Sequence, residues 1–161
     1  MIRKIHLCDD IKLEILWLFA LLVNHGVLGF YKSLWADFLC LNALVLSKQD
    51  CRSLTVSPFP LVLIACGGGS WLLFQKTIPL GLPIFLIFLA IFAYGFSKKI
   101  GLGDIVLLAA CGLWFEDSQA YGLFLFLSGI LGVTTHAVYP GDKVPFAPSI
   151  LIACWLCFVF S

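Results

Sequence analysis

Lys98-Lys99-Ile100-Gly101-Leu102-Gly103-Asp104 is the stretch from which the rest of the chain is read. A basic pair leads into a Gly-x-Gly-Asp turn, and the turn opens into the apolar run Ile105 to Phe115. A carboxylate at the mouth of such a run needs a reason. At the centre of a bilayer helix a charged side chain costs about 2.5–3.5 kcal/mol on insertion scales, so acids in apolar segments are read first as functional. The two glycines permit a tight turn and the close approach of another chain. Asp50 also ends an apolar run. The expectation is a fold that brings Asp50 and Asp104 together.

Composition sets the surroundings. Of 161 residues, 61% are hydrophobic and 12% are charged, and the mean hydropathy is +1.05. A soluble domain is nearer half apolar and a quarter charged, so the excess apolar surface is expected to face lipid. A net charge of +1 removes the electrostatic case for a nucleic-acid partner. The seven cysteines are odd in number and scattered through apolar runs, which argues against a disulfide framework. Cys154-Trp155-Leu156-Cys157 has C-x-x-C spacing but no second pair and no nearby His, so neither a metal nor a cofactor is expected.

Seven apolar runs follow in order. Leu13 to Tyr31 is the first, with Glu14 at its entrance and Asn24 and His25 within it. No small-residue cleavage site follows it, so no removed signal peptide is read. Leu34 to Ser47 is short for a span of about 17–25 residues and needs Ser33 and the stretch down to Asp50 to cross. Lys48-Gln49-Asp50-Cys51-Arg52 is expected as a polar loop. Pro58 to Phe74, Pro79 to Phe96, Gly101 to Phe115, Gln119 to Tyr139 and Pro145 to Phe160 complete the set. Gly67-Gly68-Gly69-Ser70 lets helices approach closely and also weakens its own helix. With short loops throughout, residues 1–161 read as one all-α domain, a polytopic membrane bundle of about seven transmembrane helices.

Basic residues orient that layout. With seven spans and a cytoplasmic amino terminus, Arg3, Lys4, Lys12, Lys48, Arg52, Lys98, Lys99 and Lys143 share one side, and only Lys32 and Lys76 the other. This is the positive-inside bias, and it puts Asp50 and Asp104 together at the cytoplasmic boundary. Two such carboxylates can share one proton, because like charges a few ångströms apart cannot both ionise. One then accepts a proton from water while the other polarises a carbonyl. The plainer reading takes Asp104 as a helix N-cap and Asp50 as a solvated loop acid beside Lys48 and Arg52. Asp37, Glu116 and Asp117 fall on the opposite side and are expected to be solvated. His25 reads as a core polar contact, and His136 and Tyr139 approach the cytoplasmic end.

Gly101-Leu102-Gly103-Asp104 with the apolar run after it resembles the G-x-G-D-x-K-L-x-A signature of type IV prepilin peptidases. Asp50-Cys51-Arg52 through Val56-Ser57 looks like the segment after that family's first catalytic span, and Val144-Pro145-Phe146-Ala147-Pro148 is similar to its I-P-F-G-P segment. The aspartates are 54 residues apart, room for two intervening spans as in that family. The resemblance implies Asp50 and Asp104 as the catalytic pair, with Gly101, Gly103, Arg52, Lys98 and Lys99 supporting the turn and Pro145, Phe146 and Pro148 opening the last span. It implies an inner-membrane aspartic endopeptidase that removes the leader of a prepilin or pseudopilin for type IV pili or type II secretion, without the cysteine-rich methylation module. Val106 stands where the family has Lys, Ser57 where it has Pro, and Ala147 where it has Gly. Presenilin and signal peptide peptidase share Gly-Leu-Gly-Asp but have a Tyr-Asp pair and a Pro-Ala-Leu motif not found here in that form. The same composition would also suit a non-catalytic membrane subunit, a degenerate copy of the peptidase or a small transporter.

Overall fold

A computed structural model describes residues 10–76, 102–138 and 144–161. Among these described residues there are six α-helices and no strand. They are α1 (Asp10–Val27), α2 (Phe30–Ser53), α3 (Pro58–Gln75), α4 (Leu102–Gly112), α5 (Ser118–Val138) and α6 (Ala147–Phe160). The run Pro79 to Phe96, Lys98, Lys99, Gly101, Tyr139 and the Gly141-Asp142-Lys143 loop lie outside the described residues.

Local chemistry sets the helix ends, and two differ from the sequence expectation. The first run stops at Val27, not Tyr31, because Gly29 is extended (φ −64°, ψ 156°) and caps α2. Tyr31 therefore belongs to the first turn of α2. Residues Lys48 to Arg52 are helical, not a loop. They find partners on neighbouring helices: Lys48 pairs with Glu14 of α1, and Asp50 is bonded from the start of α6. α2 ends where Leu54 turns left-handed (φ 53°) and donates its N–H to the Asp50 carbonyl at 2.7 Å. That conformation costs a leucine about 1–2 kcal/mol, so the stop is imposed by its surroundings. α3 and α6 both carry Pro in the first turn, where a missing N–H leaves no gap in the helix ladder.

α2 and α6 form the centre. α2 packs against α1, α3 and α6, while α6 packs against α2, α4 and α5, and α3 also meets α4. α6 is apolar and buried on nearly all sides, with Ala147, Ile150, Leu151, Cys154 and Phe158 at its core, the pattern of a helix enclosed by others. The outer helices differ. α3 and residues Ser118–Ala137 of α5 are long and apolar enough to cross a membrane, yet only 33% and 22% of those segments are buried. Phe19, Leu22, Phe126 and Val133 are all more than half exposed. An apolar surface of this extent is unusual for a protein surrounded by water.

A buried polar tie joins the first, second and last helices. Asn24 is fully buried; its amide donates to Asp37 Oδ1 at 2.9 Å and faces Cys40 Sγ at 3.6 Å. Trp155 Nε1 donates to Asn24 Oδ1 at 2.8 Å, and His25 Nε2 lies 3.0 Å from Asp37 Oδ2. Asp37 is thus partnered and not simply solvated, and His25 is an exposed partner of that acid, not a core contact. Asp117 is exposed as expected, and its Oδ1 accepts the Ala120 N–H at 2.6 Å and caps α5. Cys154 and Cys157 are free and buried, and Cys51 is disulfide-bonded.

The glycine run resolves into two roles. A Cβ on Gly68 would stand 2.8 Å from Trp114 Cδ1 and 2.9 Å from the Leu113 backbone carbon, while one on Gly69 would meet nothing within 4 Å. The space at Gly68 is filled by Trp114, whose Nε1 donates to the Ile64 carbonyl at 3.0 Å. Gly68→Ala is therefore expected to destabilise the protein by about 1–3 kcal/mol through overpacking against backbone. Gly69→Ala should be neutral or stabilising by up to about 1 kcal/mol, since alanine favours a helix interior. Thermal melting of the two purified variants decides this; equal midpoints would remove close α3–α4 approach as the reason for the glycine.

Candidate active site

The site starts from a carboxylate that cannot stay buried unsatisfied. Asp50, in the last turn of α2, is 4% exposed. Its Oδ2 accepts the Ala147 N–H at 3.0 Å, and the Phe146 N–H also bonds to it. The first N–H groups of a helix lack intrahelical partners, and that end carries partial positive charge. Phe146 makes no side-chain cap of its own, so Asp50 caps α6 from 97 residues away.

The segment Val144-Pro145-Phe146-Ala147-Pro148 is shaped to present those two donors. Pro145 is buried, Phe146 is half-buried, and Pro148 sits in the first turn of α6. The Phe146 ring lies so close over Gly132 of α5 that a Cβ there would fall 1.7 Å from Cε2. Ala147 is fully buried and already helical, so this position does not call for glycine.

Asp104 comes from the other side, in the first turn of α4. Helix α4 begins before it, at Leu102, so Asp104 is not the N-cap. Gly103 serves close approach: its Cβ would stand 3.1 Å from Val56 Cβ. Val56 lies in the connection that follows Asp50 along the chain, so this contact holds the two acid-bearing helix ends against each other. Ile105 and Leu107, both buried, anchor α4 beneath. Arg52 is exposed in the last turn of α2, and His136 is exposed in the last turn of α5. Gly101, Lys98 and Lys99 are outside the described residues.

Both acids lie outside the two membrane-length segments, and their electrostatics differ. Burial raises the pKa of Asp50, and the Ala147 and Phe146 N–H groups offset part of that rise by favouring the charged form. Burial likewise pushes Asp104 up, and the charge of Asp50 pushes it further, to about 6. No direct hydrogen bond joins the two carboxylates among the described residues, so they interact through space. The Asp50 charge is favoured by two backbone donors, and Asp104, in the field of that charge, holds its proton to a higher pH than an ordinary aspartate. Among the described residues no group of three or more His, Cys, Asp or Glu is placed to hold a metal.

Two site features escaped the sequence reading. One is the Glu14–Lys48 pair, which binds α1 to α2 two residues before Asp50. Opposite charges at matching depth in an antiparallel pair of runs were the available signal. The other is Gly132, which looks like any small residue in its run. Comparison with family models, curated proteins and solved structures finds no match to this chain.

The raised pKa has a consequence for stability. A carboxylate whose folded pKa exceeds its ordinary value of 3.8 resists ionisation in the folded state, so stability is lost as pH rises through about 6. Asp104→Asn removes that loss. The variant should melt higher than the wild type at pH 8, by about 2 °C or more, and the difference should vanish at pH 4. A difference independent of pH would contradict the placement of Asp104 in the field of Asp50.

Proposed function

We propose that the chain is a multi-pass membrane aspartic endopeptidase of the prepilin-peptidase type. In this reading it has about seven spans, a cytoplasmic amino terminus and a site facing the cytoplasm in the inner membrane. The observation that carries the reading is the pairing of Asp50 and Asp104, two partly desolvated acids on separate helices with the charge of one acting on the other. The order of the three sequence motifs and the largely exposed apolar helices support it.

The chemistry follows from the unequal pair. Asp50, whose charged form the α6 N–H groups favour, takes a proton from water as the water oxygen bonds to the scissile carbonyl carbon. Asp104 gives its proton to the carbonyl oxygen, leaving a neutral tetrahedral adduct. Asp50 then passes its proton to the amide nitrogen as the C–N bond breaks, and Asp104 recovers a proton from the adduct hydroxyl. Each proton ends where it is needed, and neither a metal nor a covalent intermediate takes part. The substrate is a prepilin or pseudopilin whose short basic leader ends in Gly ahead of an apolar helix. That helix lies in the lipid bilayer, which brings the cleavage point to the boundary where the acids sit.

Co-expression with a candidate prepilin, read by gel shift for leader loss, tests this. Asp50→Asn and Asp104→Asn should each slow cleavage by about 10²–10⁴-fold, the range for removal of a general acid or base. The double variant should be little worse than either single one, because one defective member disables the pair. Rate against pH should be bell-shaped, with both limbs belonging to the pair. Full cleavage by either variant at equal membrane levels would leave a non-catalytic membrane subunit as the better reading.

A further inference from the structure

A cavity lies at the far end of the bundle from Asp50. Lys32 and Asp50 belong to the same helix, 18 residues apart, a distance of about 27 Å at 1.5 Å per residue. Around Lys32 the start of α2, the ends of α3, α4 and α6 and the start of α5 enclose about 290 Å³. The floor is aromatic: Trp71 and Trp114 meet the Phe158 ring edge-on, with centroids 5.3 and 5.2 Å away.

Two opposite charges face this space without closing on each other. Lys32 Nζ sits over the Phe158 ring at 5.4 Å from its centroid, held by cation–π attraction. Glu116 also lines the cavity and is near enough to act on the Lys32 charge. Among the described residues, ion pairs form between His25 and Asp37 and between Lys48 and Glu14, not between Lys32 and Glu116. Asp117 also lines the cavity, with one oxygen taken by the Ala120 N–H; Glu116, which acts on the Lys32 charge, has the Gln75 amide beside it. A cation and an anion fixed apart over an aromatic floor match a small molecule carrying both charges.

The rim says where that molecule comes from. Phe30, Tyr31 and Phe74 are exposed beside the cavity, and Tyr31 and Phe74 lie 6.3 Å apart. An exposed tyrosine at a helix end suits a membrane–water interface, where Tyr and Trp are enriched. The volume is at the small end for ligand sites, suited to a head group and not to a large cofactor.

We propose that this cavity binds the head group of a phospholipid bearing a phosphate and a primary ammonium, with the phosphate on Lys32 and the ammonium on Glu116. The proposal rests on the membrane placement above but not on the peptidase chemistry.

Native mass spectrometry of the detergent-solubilised chain, titrated with phosphatidylethanolamine, phosphatidylcholine or phosphatidylglycerol, tests it. The wild type should bind one phosphatidylethanolamine about 10-fold more tightly than either other lipid. Glu116→Gln should lower phosphatidylethanolamine to the level of phosphatidylglycerol, and Lys32→Gln should weaken all three. Glu116 is exposed, so its variant keeps the test open should Lys32→Gln misfold. Free O-phosphoethanolamine should displace the bound lipid; a preference insensitive to it would place recognition in the acyl chains and overturn the proposal. A wild type without preference, or a preference surviving both substitutions, would do the same. Lipid binding is read without any cleavage step, so a failed cleavage assay leaves this result standing. Release of the chain from membranes by alkaline carbonate without detergent would sink the membrane placement and this site together, whatever cleavage shows.

Discussion

The bond from the Ala147 N–H to Asp50 is the constraint around which the fold is arranged. A buried carboxylate without partners is too costly to keep charged, and its relief comes from the open end of a helix 97 residues later in the chain. That single requirement fixes the end of α2 against the start of α6. The left-handed Leu54 stops α2 just past the acid, and Gly132 lets the Phe146 ring settle where the donors can reach. Gly103 yields to Val56, so Asp104 arrives beside an acid whose charge is already spoken for. The asymmetry of the pair thus comes from backbone and not from side-chain identity. Two aspartates of the same chemistry differ because Asp50 accepts N–H groups from the start of α6, whereas among the described residues Asp104 accepts none.

Much of this fold is legible in the order of residues. The apolar runs mark all six described helices, and the polar interruptions fall close to their ends. The misplacements have a common origin. Lys48 to Arg52 look like a loop because polarity is visible in sequence, whereas the partners that make polar residues tolerable inside a helix are not. Glu14 and the α6 N–H groups supply those partners from 34 and 97 residues away. Asp37 looks like a solvated acid for the same reason, since Asn24 and His25 reach it only once α1 and α2 lie side by side. Glycine is the harder case. Gly129 and Gly132 share one helix and one chemistry, yet a side chain would be free at the first and impossible at the second without moving Phe146. Gly68 and Gly69 divide in the same way. Which of two small residues matters depends on the neighbour, and the neighbour is a property of the fold.

The Asn24 tie has a consequence for how the helices come together. Asn24 and Asp37 can meet as soon as α1 and α2 form a hairpin. The amide oxygen, however, waits for Trp155, which lies 131 residues downstream. Until α6 docks, the hairpin of α1 and α2 carries an unanswered acceptor at its heart. Arrival of α6 closes that vacancy with Trp155 and, one end further along, delivers the Ala147 N–H to Asp50. The Asn24 tie and the capping of Asp50 are therefore completed by one event, the docking of α6.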